Sequence, residues 1–133
     1  MNSKSVLSQA EVAQILTAAR AEAQANQWAV TIVVVDDGGH PLALERLDGC
    51  APASAYIATE KARTSALGRR ESKSYEDMVN AGRYAFLSAP LLTSLEGGVP
   101  IVFDGQVIGA IGVSGVKPEQ DAQVAKAGAQ CLK

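Results

Sequence analysis

The chain has one histidine, His40, and two cysteines, Cys50 and Cys131, among its 133 residues. A single histidine excludes a multi-histidine metal centre within one chain. Any Ser-His-Asp or Cys-His catalytic unit would have to use His40. The cysteines are far apart and form no CxxC, which argues against a structural zinc site. In a reducing compartment both are expected as free thiols. No apolar run approaches the roughly 18 residues of a helical bilayer span. Neither charge sign dominates: 12 Lys+Arg against 14 Asp+Glu leave a net −2, which disfavours nucleic acid as a partner. No GxGxxG follows a strand and no GxxxxGK[ST] occurs, so nucleotide-binding motifs are missing. The opening MNSKSVLSQA carries one basic residue and no apolar signal core, so the expected location is the cytoplasm.

What is present is the balance of one soluble globular domain spanning 1–133, with 47% hydrophobic and 20% charged residues. Ser8 and Glu11 form a capping box, with Leu7 and Val12 placed as a hydrophobic staple. Val12, Ile15, Leu16, Ala19 and Ala23 then share one face, which predicts a helix over about 9–25. Residues 30–35, VTIVVV, read as a strand buried on both faces. A turn at Asp36–Pro41 leads to a second strand over 42–47. Ala55, Ala58, Ala62 and Ser65 predict a close-packing helix over 54–68, and a short helix is expected over 75–86. Asp104-Gly105 is the strongest hairpin signal, joining strands 99–103 and 106–113. Gly109 and Gly112 in the last strand mark a bulge or a close backbone or ligand approach. Pro118, with Glu119 and Asp121, opens the final helix. Two hairpins and flanking helices predict an α+β fold, a single antiparallel sheet of about five strands with helices packed on it.

His40, in a Gly-Gly-His-Pro turn, reads as an axial ligand to a haem-like cofactor, as a general acid–base, or as a solvent-facing turn residue. Cys50 sits at the far end of the second strand from His40, so a Cys50–His40 dyad within one chain is not expected. Lys61, Arg63, Arg69, Arg70 and Lys73 form a basic cluster, either an anion pocket for carboxylates or propionates or a solvated helix end. Glu45 and Arg46 point to opposite faces of their strand and cannot pair with each other, whereas Asp48 shares the face of Arg46 if the strand continues and suggests a structural ion pair. Tyr75, Met78 and Tyr84 suggest core or rim positions. The small residues around Gly98 and Ser114, at the outer ends of the second hairpin, suit either a ligand or tight subunit packing.

Four segments, VVVDDGGHPLALERLDGC (33–50), ATEKARTSAL (58–67), GGVPIVFDGQVIGAIGVSG (97–115) and PEQDAQVAKAG (118–128), in this order resemble the GlcG/HbpS family. This is the haem-degrading-type domain, also found at the carboxyl terminus of PduO. The resemblance implies a profilin-like fold and homo-oligomers built from dimers. It implies haem or a related tetrapyrrole as ligand for some members. Other members are encoded near glycolate-utilisation or diol/glycerol-dehydratase genes, and the PduO-type domain is linked to corrinoid metabolism. Carried over, His40 is the candidate haem-iron ligand, and Lys61 and Arg63 fall in the family's Lys-Ala-x-Thr stretch. Unlike the secreted members the chain is expected to carry no signal peptide, and adenosyl transfer as in PduO is not expected of it. The expected function is a small-ligand-binding protein for haem or a tetrapyrrole, with His40, Lys61, Arg63, Gly98 and Ser114 as candidate contacts and no clear catalytic apparatus. The alternatives are an oligomeric accessory protein to a glycolate or diol/glycerol enzyme, and an enzyme acting on a small carboxylate held by Lys61 or Arg63.

Overall fold

A computed structural model describes residues 1–132. Helix α1 spans Gln9–Ala25, strands β1 and β2 Thr31–Asp36 and Pro41–Arg46, and helices α2 and α3 Ala53–Gly68 and Lys73–Asn80. A 3-10 turn follows at Tyr84–Ser88, then β3 (Gly98–Phe103), β4 (Gln106–Ser114) and α4 (Pro118–Ala129). The strands form one antiparallel sheet in the order β2-β1-β4-β3.

The α+β class and the single antiparallel sheet match expectation, but the strand number does not. Among the described residues the sheet has four strands, not about five. The two hairpins supply all four. The chain between α3 and β3 runs instead through the 3-10 turn and an irregular segment containing Pro90. The expected helix over 75–86 is also divided. It stops at Asn80, and Gly82 takes a φ of +108°, outside the helical region.

Ser8 caps α1 as anticipated, its hydroxyl and the Glu11 side chain satisfying reciprocal backbone N–H groups. The sheet buries both faces of its two central strands. Ile32, Val34, Val99, Ile101, Ile111 and Val113 face α1 and α4, where Val12, Ile15, Ala19 and Val124 complete the larger core. Val33, Val35 and Ala110 on the opposite face meet Ala58, Ala62 and Ala66 of α2.

Gly98 and Gly112 are directly paired across β3 and β4. A Cβ on Gly112 would strike the Ala58 carbonyl and the Ala62 amide, and one on Gly98 the Lys61 carbonyl. The close approach expected at Gly112 is thus that of a helix backbone. Alanine on the helix and glycine on the sheet together let α2 sit that low. Pro41 and Pro100 lie in the two edge strands, where a missing N–H is tolerated.

Candidate functional site

The β1–β2 turn is built around Asp36. Its Oδ1 accepts from the backbone N–H groups of Gly38 and His40, both at 2.9 Å, an Asx-type turn that closes the hairpin locally. The same carboxylate faces the His40 ring, with Nδ1 3.0 Å from Oδ1 and 3.1 Å from Oδ2. Partial burial pushes the Asp36 carboxyl up. The backbone N–H groups of His40 and Gly38, and then the His40 ring, outweigh it and hold it below the usual carboxylate range.

An ionised carboxylate only accepts, so Nδ1 carries a proton and the neutral ring keeps its lone pair on Nε2. The His40 side chain is 78% exposed, and its Nε2 has no hydrogen-bond partner among the described residues.

Helix α2 brings cations to this turn. Gly39, at φ +80°, passes over Arg63, whose Cγ lies 2.8 Å from where a Cβ on Gly39 would stand. The Arg63 guanidinium donates to Glu60 and, through Nε, to the Leu91 carbonyl at 3.3 Å. Arg69, the left-handed cap of α2 at φ 57°, donates to the Asp37 and Ala66 carbonyls. Each guanidinium has five N–H donors, so both retain unused ones. Leu67 and Leu91 are exposed beside them. His40, Arg63 and Arg69 thus share one patch with Asp36 and Asp37.

The other candidates lie elsewhere. Lys61 is buried, with Nζ 2.9 Å from Asp121 Oδ2 and 3.0 Å from the Val113 carbonyl. Burial drives the Asp121 carboxyl up, opposed by the Lys61 charge. Gly98 donates its N–H to Ser72 Oγ at 2.8 Å and accepts from the Ser72 N–H at 3.0 Å. Ser114 is buried opposite Thr31, beside Cys50. Thr31 and Asp36 are the two ends of β1, about 17 Å apart at roughly 3.3 Å per residue. The structure therefore does not bring Lys61, Gly98 or Ser114 to His40, and the polar groups of Lys61 and Gly98 serve internal contacts.

Cys50 lies at the far end as well, its Sγ 2.8 Å from Ser54 Oγ. The ion pair expected between Arg46 and Asp48 does not form among the described residues; Glu45 pairs instead with Arg20. It borders a cleft of about 510 Å³ lined also by Gln24, Trp28 and Asp48, not by His40.

Sequence reasoning missed two partnerships. Asp36 as the His40 anchor was signalled by Asp-x-Gly, the pattern of a side chain that caps its own turn. Asp121 as the Lys61 partner left no local signal, because 60 positions separate them.

A family model described as "Haem degrading protein HbpS-like" matches residues 7–130. The chain is 65% identical to Protein GlcG of Escherichia coli strain K12 over 114 residues, 86% of this chain and 85% of that protein. The structure is similar to a PduOC:heme complex, with a TM-score of 0.86 and 26% identity over 96% of each chain. It is similar as well to a double mutant of Streptomyces reticuli HbpS, with a TM-score of 0.89 and 27% identity over 100% of this chain and 91% of that one.

Proposed function

Since the chain belongs to the HbpS-like family of haem-degrading proteins, we propose that it binds haem or a related tetrapyrrole at the β1–β2 turn, with His40 Nε2 as the iron ligand. The observation that carries this reading is the geometry of the lone histidine. Nδ1 is held by Asp36, Nε2 has no partner, and two guanidiniums stand beside the turn. The donor set fits the group: a neutral imidazole nitrogen suits iron, and Arg63 and Arg69 have free N–H donors for propionates. Exposed Leu67 and Leu91 offer apolar surface to the macrocycle. The similarity to a PduOC:heme complex supports the same ligand class.

Bound haem would supply an iron centre for ligand or electron exchange. The chain's own part is to bind and orient. Asp36 fixes the imidazole, Arg63 and Arg69 hold the carboxylates, and the turn itself is pinned to α2. A site this exposed covers one face of a macrocycle, and self-association of the chain is the natural means of covering the other. The experiment is a haemin titration followed in the Soret band, beside His40→Ala. Saturation at a fixed ratio that the variant loses is the expected result. Non-saturating binding in both overturns the reading.

A second reading, an accessory protein docking on a metabolic enzyme, rests on the exposed Tyr84, Leu87, Leu91 and Leu95 around the 3-10 turn. Affinity capture from source cells that returns no enzyme counts against it.

A further inference from the structure

We infer that Asp36 is a positioning residue that fixes the His40 tautomer and so decides which ring nitrogen is offered to a ligand. Its significance for iron rests on the haem reading above, but the hold itself belongs to the unliganded chain.

Three features build it. The Asp36 carboxylate is tied down by two backbone N–H groups of its own turn, at 2.9 Å each. It is therefore oriented before the ring arrives. The ring then lies against it with Nδ1 within 3.1 Å of both oxygens. Finally, the ring lies in the space that a side chain at residue 38 would enter, which glycine leaves open. A Cβ there would stand 2.8 Å from His40 Cε1 and 3.1 Å from Nδ1.

The consequence is chemical. A carboxylate accepts and cannot donate, so the proton of the neutral ring stays on Nδ1. The Nε2 lone pair faces outward, and the negative partner makes it a more basic donor. Asparagine at position 36 would keep the turn, because its oxygen still accepts from Gly38 and His40. That same oxygen, 3.0 Å from Nδ1, also still accepts from Nδ1–H, so asparagine removes the charge but not the acceptor. Alanine removes the acceptor altogether and frees the ring to carry its proton on Nε2, where the ligand must bind.

The test needs no assignment, because His40 is the sole histidine. Long-range 1H–15N correlation spectra of the haem-free protein above the histidine titration range read the tautomer directly. Wild type should show the proton on Nδ1. Asp36→Ala, which removes the acceptor, should move it to Nε2. Gly38→Ala should do the same by displacing the ring with the carboxylate intact, and unchanged circular dichroism checks that both variants fold. A wild-type spectrum with the proton on Nε2, or variants that leave the pattern unmoved, overturns the inference.

Haemin titration supplies the second arm. Asp36→Ala should weaken binding about 10- to 100-fold, the usual cost of losing such a partner. A reversed tautomer with undiminished His40-dependent binding overturns the role in ligation and leaves the haem reading standing. Saturable haemin binding indifferent to His40→Ala overturns His40 as the iron ligand, while the haem-free spectra still decide whether Asp36 holds the ring.

Discussion

Lys61 Nζ and Asp121 Oδ2 lie 2.9 Å apart with their side chains 5% and 3% exposed, joining α2 to the first turn of α4. Asp121 Oδ1 also accepts from the Val116 N–H at 3.1 Å, so the carboxylate is satisfied on both oxygens. Removing either partner leaves a buried charge without its counterion. Lys61→Met or Asp121→Asn should each cost about 3–5 kcal/mol, read from urea unfolding midpoints. The double change to apolar residues of similar volume should recover most of the loss. A single variant within about 0.5 kcal/mol of wild type would contradict this structural role.

Gly112→Ala should destabilise by about 1–3 kcal/mol or more, because the added methyl meets backbone atoms of Ala58 and Ala62 that cannot rotate away. Thermal unfolding measures it. Because Gly112 underlies α2, and α2 carries Arg63, the variant should also loosen the β1–β2 turn, visible as faster amide exchange at Gly38 and His40.

The two arginines at the turn should matter less than the histidine. His40→Ala is expected to abolish the saturable Soret signal. Arg63→Ala should weaken haemin binding by about 0.2–1 kcal/mol, a few-fold at most, because exposed ion pairs are screened. Raising salt should narrow the gap between wild type and the Arg63 variant.

Acid sensitivity has a definite sign at Glu45. Hydrogen bonding to Arg20 comes first, and the Arg20 charge adds to it against partial burial, so the carboxyl is held below its ordinary value of 4.5. A depressed folded value means that this stabilisation is complete above the unfolded value and is lost as pH falls through the folded one. Glu45→Gln should therefore reduce stability at pH 7 and change it little at pH 2. Urea midpoints at the two values check this, and an equal loss at both would contradict it.

Much of the fold was legible in local pattern. The Ser8–Glu11 box located α1, the β-branched run Thr31–Val35 announced a doubly buried strand, and Asp104-Gly105 placed the second hairpin. The alanines at 58 and 62 foretold a close approach, although that Gly112 is its target follows only from the register of β4. The site was less legible, because side-chain chemistry does not reveal burial. Lys61 and Arg63 are neighbours in sequence and both basic. They are two positions apart, and about 100° per residue sets them roughly 200° apart around the helix, which sends one into the interior toward Asp121 and the other outward under Gly39. Gly98 and Ser114 were recognised as small, but whether a small residue admits a ligand or its own helix is decided by tertiary packing. Among the described residues no fifth strand appears, because the chain between α3 and β3 runs through the 3-10 turn and an irregular segment containing Pro90.

The prolines of the edge strands bear on how copies of this chain can meet. Pro100 has no N–H with which to bond an added strand alongside β3, and Pro41 withholds one at the start of β2. The sheet is thus a poor template for growth by strand addition, the route that leads from one ladder to an open-ended ribbon. The apolar surface that stays uncovered lies elsewhere, at Tyr84, Leu87 and Leu91 around the 3-10 turn, away from any open ladder.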